Sequence, residues 1–255
     1  GHPLSSQSTL IEHAPNEGFA GGNNVGIRRA MADGHDHYWL LNNDTFVEPS
    51  ALRALVTSAL EEAHVGMVGS KIYYAGTRRL WYAGARVHRW TGRGNTRGKE
   101  ETDHGQYDRA EETGYITGCS LFVRRQVIEQ VGLMRKDYFL YYEEVDWNLR
   151  ARRAGWKLLY QPESVVHHRV GASTRMGARN APVLIYYNLR NRFVMMQRLG
   201  TPGQRVSSAV YLHYQLISQF SLIMKRDYLR LQGFTYLALG YLHALLRRMG
   251  PAPRL

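Results

Sequence analysis

Apolar and polar positions alternate along this chain with two different periods. Leu52, Leu55, Val56 and Leu60 recur at helical spacing and predict a helix over Ser50–Glu62, opened by Pro49. Runs rich in β-branched and aromatic residues predict strands over Tyr38–Leu41, Val65–Tyr74 and Tyr115–Arg125, with a strand or hairpin arm over Leu80–Trp90. From Lys157 the pattern predicts one strand, a turn at Pro162, and a second strand ending in His167 and His168. Further helices are predicted over Asn23–Ala32, over Gln126–Val131 and through Arg153, the last capped by Gly155. Thr91–Thr113 is polar and glycine-bearing, and reads as a long mobile loop. Strands and helices alternate to about residue 173, which predicts an α/β sheet flanked by helices, with no internal repeat.

Beyond Ala181 the pattern is helical. Val206–Met224 has no Lys, Arg, Asp or Glu, yet Ser207, Ser208, His213, Gln215, Ser218, Gln219 and Ser221 break its apolar run, so it does not read as a membrane span. Val206, Val210, Ile217, Phe220 and Met224 form one face. This segment and Leu231–Leu246 fit either interfacial helices with basic flanks or helices packed on the rest of the chain. The expected division is a folded unit over 1–200 and a basic amphipathic tail over 201–255.

Charge sharpens this division. The net charge is +12, and seven Lys or Arg against one Asp lie between Thr201 and Leu255. A basic tail points to an anionic partner such as a membrane surface or a phosphorylated substrate. Nucleic acid is not expected, because the basic residues are not interleaved along an exposed aromatic sheet. A core is within reach for 255 residues that are 44% hydrophobic. The single cysteine, Cys119, excludes an intrachain disulfide and a cysteine-based zinc site, and fits a reducing compartment.

Three polar groups stand where open α/β sheets place their ligands. Asp44, flanked by Asn42, Asn43 and Thr45, offers hard oxygen ligands for Mg²⁺ or Mn²⁺, or else caps the helix that begins near Pro49. Glu143, Glu144 and Asp146 crowd three carboxylates into four residues, as a metal, a basic partner or proton chemistry would require. Asp146 also fits a helical first turn with Arg150 at i+4. His167 and His168 point to opposite faces of a strand, so one of them at most faces a site.

Taken in order, NEGFAGGNNVGI, WLLNNDTFVEP, VGMVGSKIYY, LWYAGA, YITGCSLFVRR, VGLMRKDYFLYYEEVDWNLRARRAGW and HHRVGAS resemble the bacterial family two glycosyltransferases of the rhamnosyltransferase type, which have a GT-A fold. The resemblance covers roughly Asn16 to Arg192. It implies inverting transfer of a sugar, rhamnose among the candidates, from a dTDP- or UDP-linked donor to a hydroxyl of a glycan or polyprenyl-linked acceptor. It places Asp44 and His168 on the metal, with His167 as the fallback, and Glu144 as the base, with Glu143 beside it. Gly21, Gly22, Asn24, Asn43 and Asp44 fall on the donor side, where the glycine-rich stretch is expected as a loop against the nucleotide. Thr117, Gly118 and Trp147 fall on the acceptor side. Arg190 and Arg192 are candidates for the pyrophosphate, and Cys119 is expected to pack rather than react. The family's first strands, which hold base and ribose, have no counterpart in this sequence. The expected place of action is the cytoplasmic face of the plasma membrane. The alternative is a binding fragment without turnover.

Overall fold

The computed structural model describes residues 8–169, 181–224 and 230–253. Helix α1 (Gly18–Ala32) leads into strand β1 (His37–Leu41), a turn, and β2 (Thr45–Val47). Helix α2 (Ala51–Glu61), β3 (Val65–Tyr74), β4 (Leu80–Tyr82), β5 (Ala85–Val87), β6 (Gly94–Thr96) and β7 (Glu111–Glu112) follow. Next come β8 (Ser120–Arg124), α3 (Arg125–Val131), α4 (Glu143–Arg153) and β9 (Lys157–His168). Among the described residues three helices follow β9: α5 (Ala181–Leu199), α6 (Pro202–Met224) and α7 (Arg230–Leu245).

The main sheet runs β1-β8-β3-β9-β2, with β4 on β3 and β7 on β9. It is mixed: β3 and β9 are parallel, whereas β8 runs antiparallel to both β1 and β3. Alternation along β3 and β8 divides the core between two faces. Met67, Leu121 and Val123 point toward Ile27 of α1, Val127 of α3 and Trp147 of α4. Val68 and Phe122 point the other way, toward Leu55 and Ala59 of α2. The helices after residue 181 have a cluster of their own, built on Leu189, Phe193, Leu212, Ile223 and Leu237.

Four local expectations are corrected. The glycine-rich stretch is not a loop, because α1 begins at Gly18 and takes in Gly21, Gly22 and Asn24. The required break lies at Gly18 itself: its φ is +76° and a Cβ there would overlap the Phe139 carbonyl, so only glycine fits. Tyr115–Cys119 is irregular and the strand begins at Ser120. Pro162 does not end a strand, because β9 is continuous and absorbs the proline in a bulge where Ser70 pairs with Gln161 and Lys71 with Val165. The segment Thr91–Thr113 is pinned, because the buried Lys71 ammonium meets the Asp103 carboxylate at 2.9 Å and also pairs with Asp108. Burial alone would raise the pKa of Asp103, but hydrogen bonds from Tyr73, the Gly105 amide and Lys71 hold it at about 2.

Candidate active site

Asp44 sits in the turn that leaves β1. Strands β1 and β2 stand at opposite ends of the strand order, so Asn42, Asn43 and Asp44 carry the chain across the end of the sheet. The Asn42 amide donates to the Cys119 carbonyl at 3.0 Å and ties this turn to the start of β8. Strand β2 then pairs with the end of β9, Thr45 opposite His168 and Phe46 opposite His167. That register sets His168 Nε2 3.2 Å from Asp44 Oδ1. The Trp81 ring packs against the His168 ring in a T-shaped contact, with centroids 4.8 Å apart. His167 alternates to the other face, where its Nε2 lies 3.0 Å from Glu48. Asn43 is exposed in the same turn.

Burial lowers the pKa of His168 more than the Asp44 charge raises it, so the ring is in its neutral, ligating form at neutral pH. Asp44 and His168 present one oxygen and one nitrogen at a separation two ligands of a single small cation adopt. The donor set fits a divalent ion, and Mn²⁺ tolerates the imidazole better than Mg²⁺ does. Among the described residues no third His, Cys, Asp or Glu joins them.

Glu143 and Glu144 open α4 on a strained approach. Phe139, Tyr141 and Tyr142 all have φ between 66° and 74°, a conformation side chains other than glycine seldom adopt. Asn191 of α5 holds this loop, with its Nδ2 2.8–3.0 Å from the carbonyls of Tyr138, Leu140 and Tyr141. Glu143 is buried; Glu144 keeps some exposed surface, but the Oε2 atoms of both are enclosed with no hydrogen-bond partner. Burial pushes both carboxyls upward, and the Glu144 charge pushes Glu143 further. The pair therefore holds a proton well above the usual carboxylate range. Asp146 belongs to the scaffold: fully buried, it accepts from Arg150 Nε at 2.7 Å and from Tyr138 Oη at 3.0 Å.

Asn148 links the two acidic centres. Its side chain accepts from the Ile116 amide at 2.9 Å, donates to the Ile116 carbonyl at 3.1 Å, and donates to the Glu144 carbonyl at 2.7 Å. The segment that precedes β8 is thus fastened to α4 at one end and to the Asp44 turn at the other. Thr117 and Gly118 lie on it, and Gly118 has no room for a side chain, since a Cβ would stand 2.6 Å from Phe19. Cys119 is buried on the same segment, its thiol raised to about 12 by burial and by the Asp44 charge, so it is not a thiolate nucleophile.

Several expected contacts are replaced by structural ones. Trp147 is fully buried and its indole donates to the Gly132 carbonyl at 2.8 Å, which removes it from any acceptor surface. Asn24 is buried against α1's neighbour loop, donating to the Met134 carbonyl at 2.8 Å. Gly21 is buried against the Glu17 side chain, whereas Gly22 opens on a cleft of about 710 Å³ between α1 and β1. Arg190 is fully buried and donates to the Tyr138 and Gly250 carbonyls at 3.0 and 2.8 Å, so it fastens the chain end to the site loop. Arg192 is nearly enclosed, 4.8 Å from the Tyr211 ring, with Nη2 unpartnered. Asn148 and Asn191 are the residues that reading the sequence missed; an asparagine has no period and no charge to mark it.

A mixed sheet with helices on both faces, carrying an aspartate in the turn at its end, is the architecture of a GT-A glycosyltransferase. The chain belongs to the glycosyltransferase-like family 2, whose sequence profile matches residues 4–192. It is 22% identical to the low-salt glycan biosynthesis hexosyltransferase Agl10 of Haloferax volcanii, over 96% of this chain and 78% of that protein. A 63-residue stretch is 40% identical to the N-acetylglucosaminyl-diphospho-decaprenol L-rhamnosyltransferase of Mycobacterium tuberculosis, covering 24% of this chain and 20% of that enzyme. Among solved structures, the fold matches the mannosyltransferase PcManGT of Pyrobaculum calidifontis, determined with GDP-Man and Mn²⁺, with a TM-score of 0.50 and 14% identity over 94% of this chain and 70% of that one.

Proposed function

We propose that this glycosyltransferase moves a hexose, a 6-deoxyhexose such as rhamnose in the first instance, from a dTDP- or UDP-linked donor to a hydroxyl of a lipid-linked glycan, with inversion. The observation that carries the reading is the arrangement of two unlike acidic centres on one fastened segment. Asp44 and His168 meet at 3.2 Å at one end, and Glu143 and Glu144 lie with enclosed, unpartnered oxygens at the other.

Asp44 and His168 would hold a divalent cation, which supplies positive charge against the departing nucleoside diphosphate. Gly22 and Asn43 border the donor side, where backbone and a side-chain amide approach the nucleotide. Glu144, in its ionised form, takes the proton of the acceptor hydroxyl as that oxygen bonds to the anomeric carbon. The bond from that carbon to the diphosphate oxygen breaks in the same displacement, which inverts the centre. Glu143 retains its proton under these conditions and donates a hydrogen bond to the acceptor. Thr117 and Gly118 form the floor between the two centres. The mycobacterial relative is named for an N-acetylglucosaminyl-diphospho-decaprenol acceptor, which supports a lipid-borne acceptor, and the basic tail supports work at the cytoplasmic face of a membrane. Among the described residues, no helix is long and apolar enough to cross one.

The test is calorimetric titration with dTDP and UDP, with and without Mn²⁺, beside a transfer assay. Binding that requires Mn²⁺ and vanishes in Asp44→Ala is the expected result. Binding without transfer to any glycan acceptor would support the binding-fragment alternative, and no binding at all would overturn the reading.

A further inference from the structure

The apolar face of α6 is turned outward. Val206, Val210, Tyr214, Ile217, Phe220 and Met224 are all exposed, Val210 by 67% and Ile217 by 71%. The helix packs on α5 and α7 through other positions, among them Ser208, Leu212 and Ile223. The exposed face runs over the 19 residues from Val206 to Met224, a stripe of about 27 Å along the helix axis. A stripe that long on a folded chain marks a contact surface.

The stripe continues onto a different part of the fold. The β5–β6 hairpin carries Trp90 at its tip, 43% exposed. A Cβ at Gly203 would lie 3.6 Å from the Trp90 ring, and Gly203 precedes Val206 and Val210 by three and seven residues on the same helix face. The tip backs onto α5, where a Cβ at Gly92 would lie 2.6 Å from Met196 and 3.2 Å from Arg192. Trp90 and the α6 stripe therefore form one surface from two distant stretches of sequence.

Its charge is of one sign. Residues 85–99 contain five Lys or Arg and no Asp or Glu. Arg86, Arg89 and Arg93 are exposed and none forms an ion pair among the described residues, while Arg89 lies 4.9 Å from the Trp90 ring. Helices α6 and α7 contain no acidic residue. An apolar stripe, a tryptophan at its end and arginines beside it match the layering of a bilayer interface, with acyl chains, headgroup level and anionic phosphates in turn.

We infer that the Trp90 hairpin tip and the outer face of α6 together form the surface by which this protein lies on an anionic bilayer. This deepens the reading of a lipid-borne acceptor. Tyr211 of α6 stacks on Arg192, whose neighbour Asn191 holds the loop ahead of Glu143, so the docked surface adjoins the acceptor side.

The test uses the full chain and vesicles, without donor or acceptor, so its failure is separate from any failure of transfer. Sedimentation with mixed phosphatidylcholine–phosphatidylglycerol vesicles should retain the protein, and pure phosphatidylcholine should retain much less. Ile217→Glu should weaken partitioning about tenfold or more. Arg89→Gln and Arg93→Gln should each weaken it roughly fivefold on the anionic vesicles. Brominated lipids should quench tryptophan emission in the wild type, and Trp90→Phe should remove most of that quenching. Circular dichroism checks that each variant folds. Absence of vesicle binding, or binding untouched by Ile217→Glu, would overturn the inference. Full quenching in Trp90→Phe would remove the hairpin from the surface. A dimer that Ile217→Glu dissociates, without vesicle binding, would assign the stripe to a second copy of the chain.

Discussion

The Asn191 side-chain amide donates to the Tyr141 carbonyl at 2.9 Å, from a helix fifty residues further along the chain. The same nitrogen reaches the Tyr138 and Leu140 carbonyls, so one side chain holds the strained loop that aims Glu143 and Glu144. Asn191→Ala should destabilise the fold by about 2–3 kcal/mol, at roughly 1 kcal/mol for each hydrogen bond lost. It should also lower kcat while leaving Mn²⁺-dependent nucleotide binding intact. Loss of nucleotide binding in a folded variant would show that Asn191 acts elsewhere.

Glu144→Gln keeps the shape and removes the proposed base. Transfer should fall by about 10²–10⁴-fold, with dTDP or UDP affinity unchanged by calorimetry. Near-native turnover would exclude Glu144 as the base.

The Glu143–Glu144 pair also predicts a pH dependence of stability. Both groups are raised in the folded state, so the native protein binds more protons than the unfolded chain above the usual carboxylate range. Stability should therefore fall as pH rises through that window. Glu143→Gln removes its share of this cost. Its melting temperature should gain on the wild type as pH is taken from about 5 to about 8. An equal offset at every pH would refute the raised pair.

Asp44→Ala and His168→Ala separate the two halves of the proposed cation site. His168→Ala should weaken Mn²⁺ affinity by more than about tenfold, the low end of what even an outer partner of a metal ligand contributes. Asp44→Ala should remove Mn²⁺-dependent nucleotide binding altogether. Full metal affinity in both variants, measured by titration, would place the cation elsewhere.

Asp103→Asn tests the buried ion pair with Lys71. It should cost about 3 kcal/mol at neutral pH, the lower end for breaking a buried pair, because Asp108 still faces the ammonium. The stabilising contribution of Asp103 is present above its unfolded pKa and is lost as pH falls toward 2. The variant and the wild type should therefore converge in denaturant midpoint on acidification.

Much of the frame was legible in the sequence because it rests on local periodicity. The β3 run, the α2 spacing and the end of β9 at His168 follow from patterns of two and 3.6 residues. The glycine-rich stretch misled because its composition suggests a loop, while packing of Ala20 and Ile27 on the core makes it helical. The apolar face of α6 was legible as a face, but nothing local says whether a face turns inward or outward.

Sequence alone determined the alternation of strands and helices, the family, and the residue types at the two acidic centres. Only tertiary structure decided which of them meet. The pairing of Asp44 with His168 depends on the register of β2 on β9, and the raised Glu143–Glu144 pair depends on burial and on a loop held by Asn191 of α5. These are contacts between residues far apart in the chain. Pattern along the chain records which way a side chain points on its own element, and it carries no measure of what another element brings to meet it.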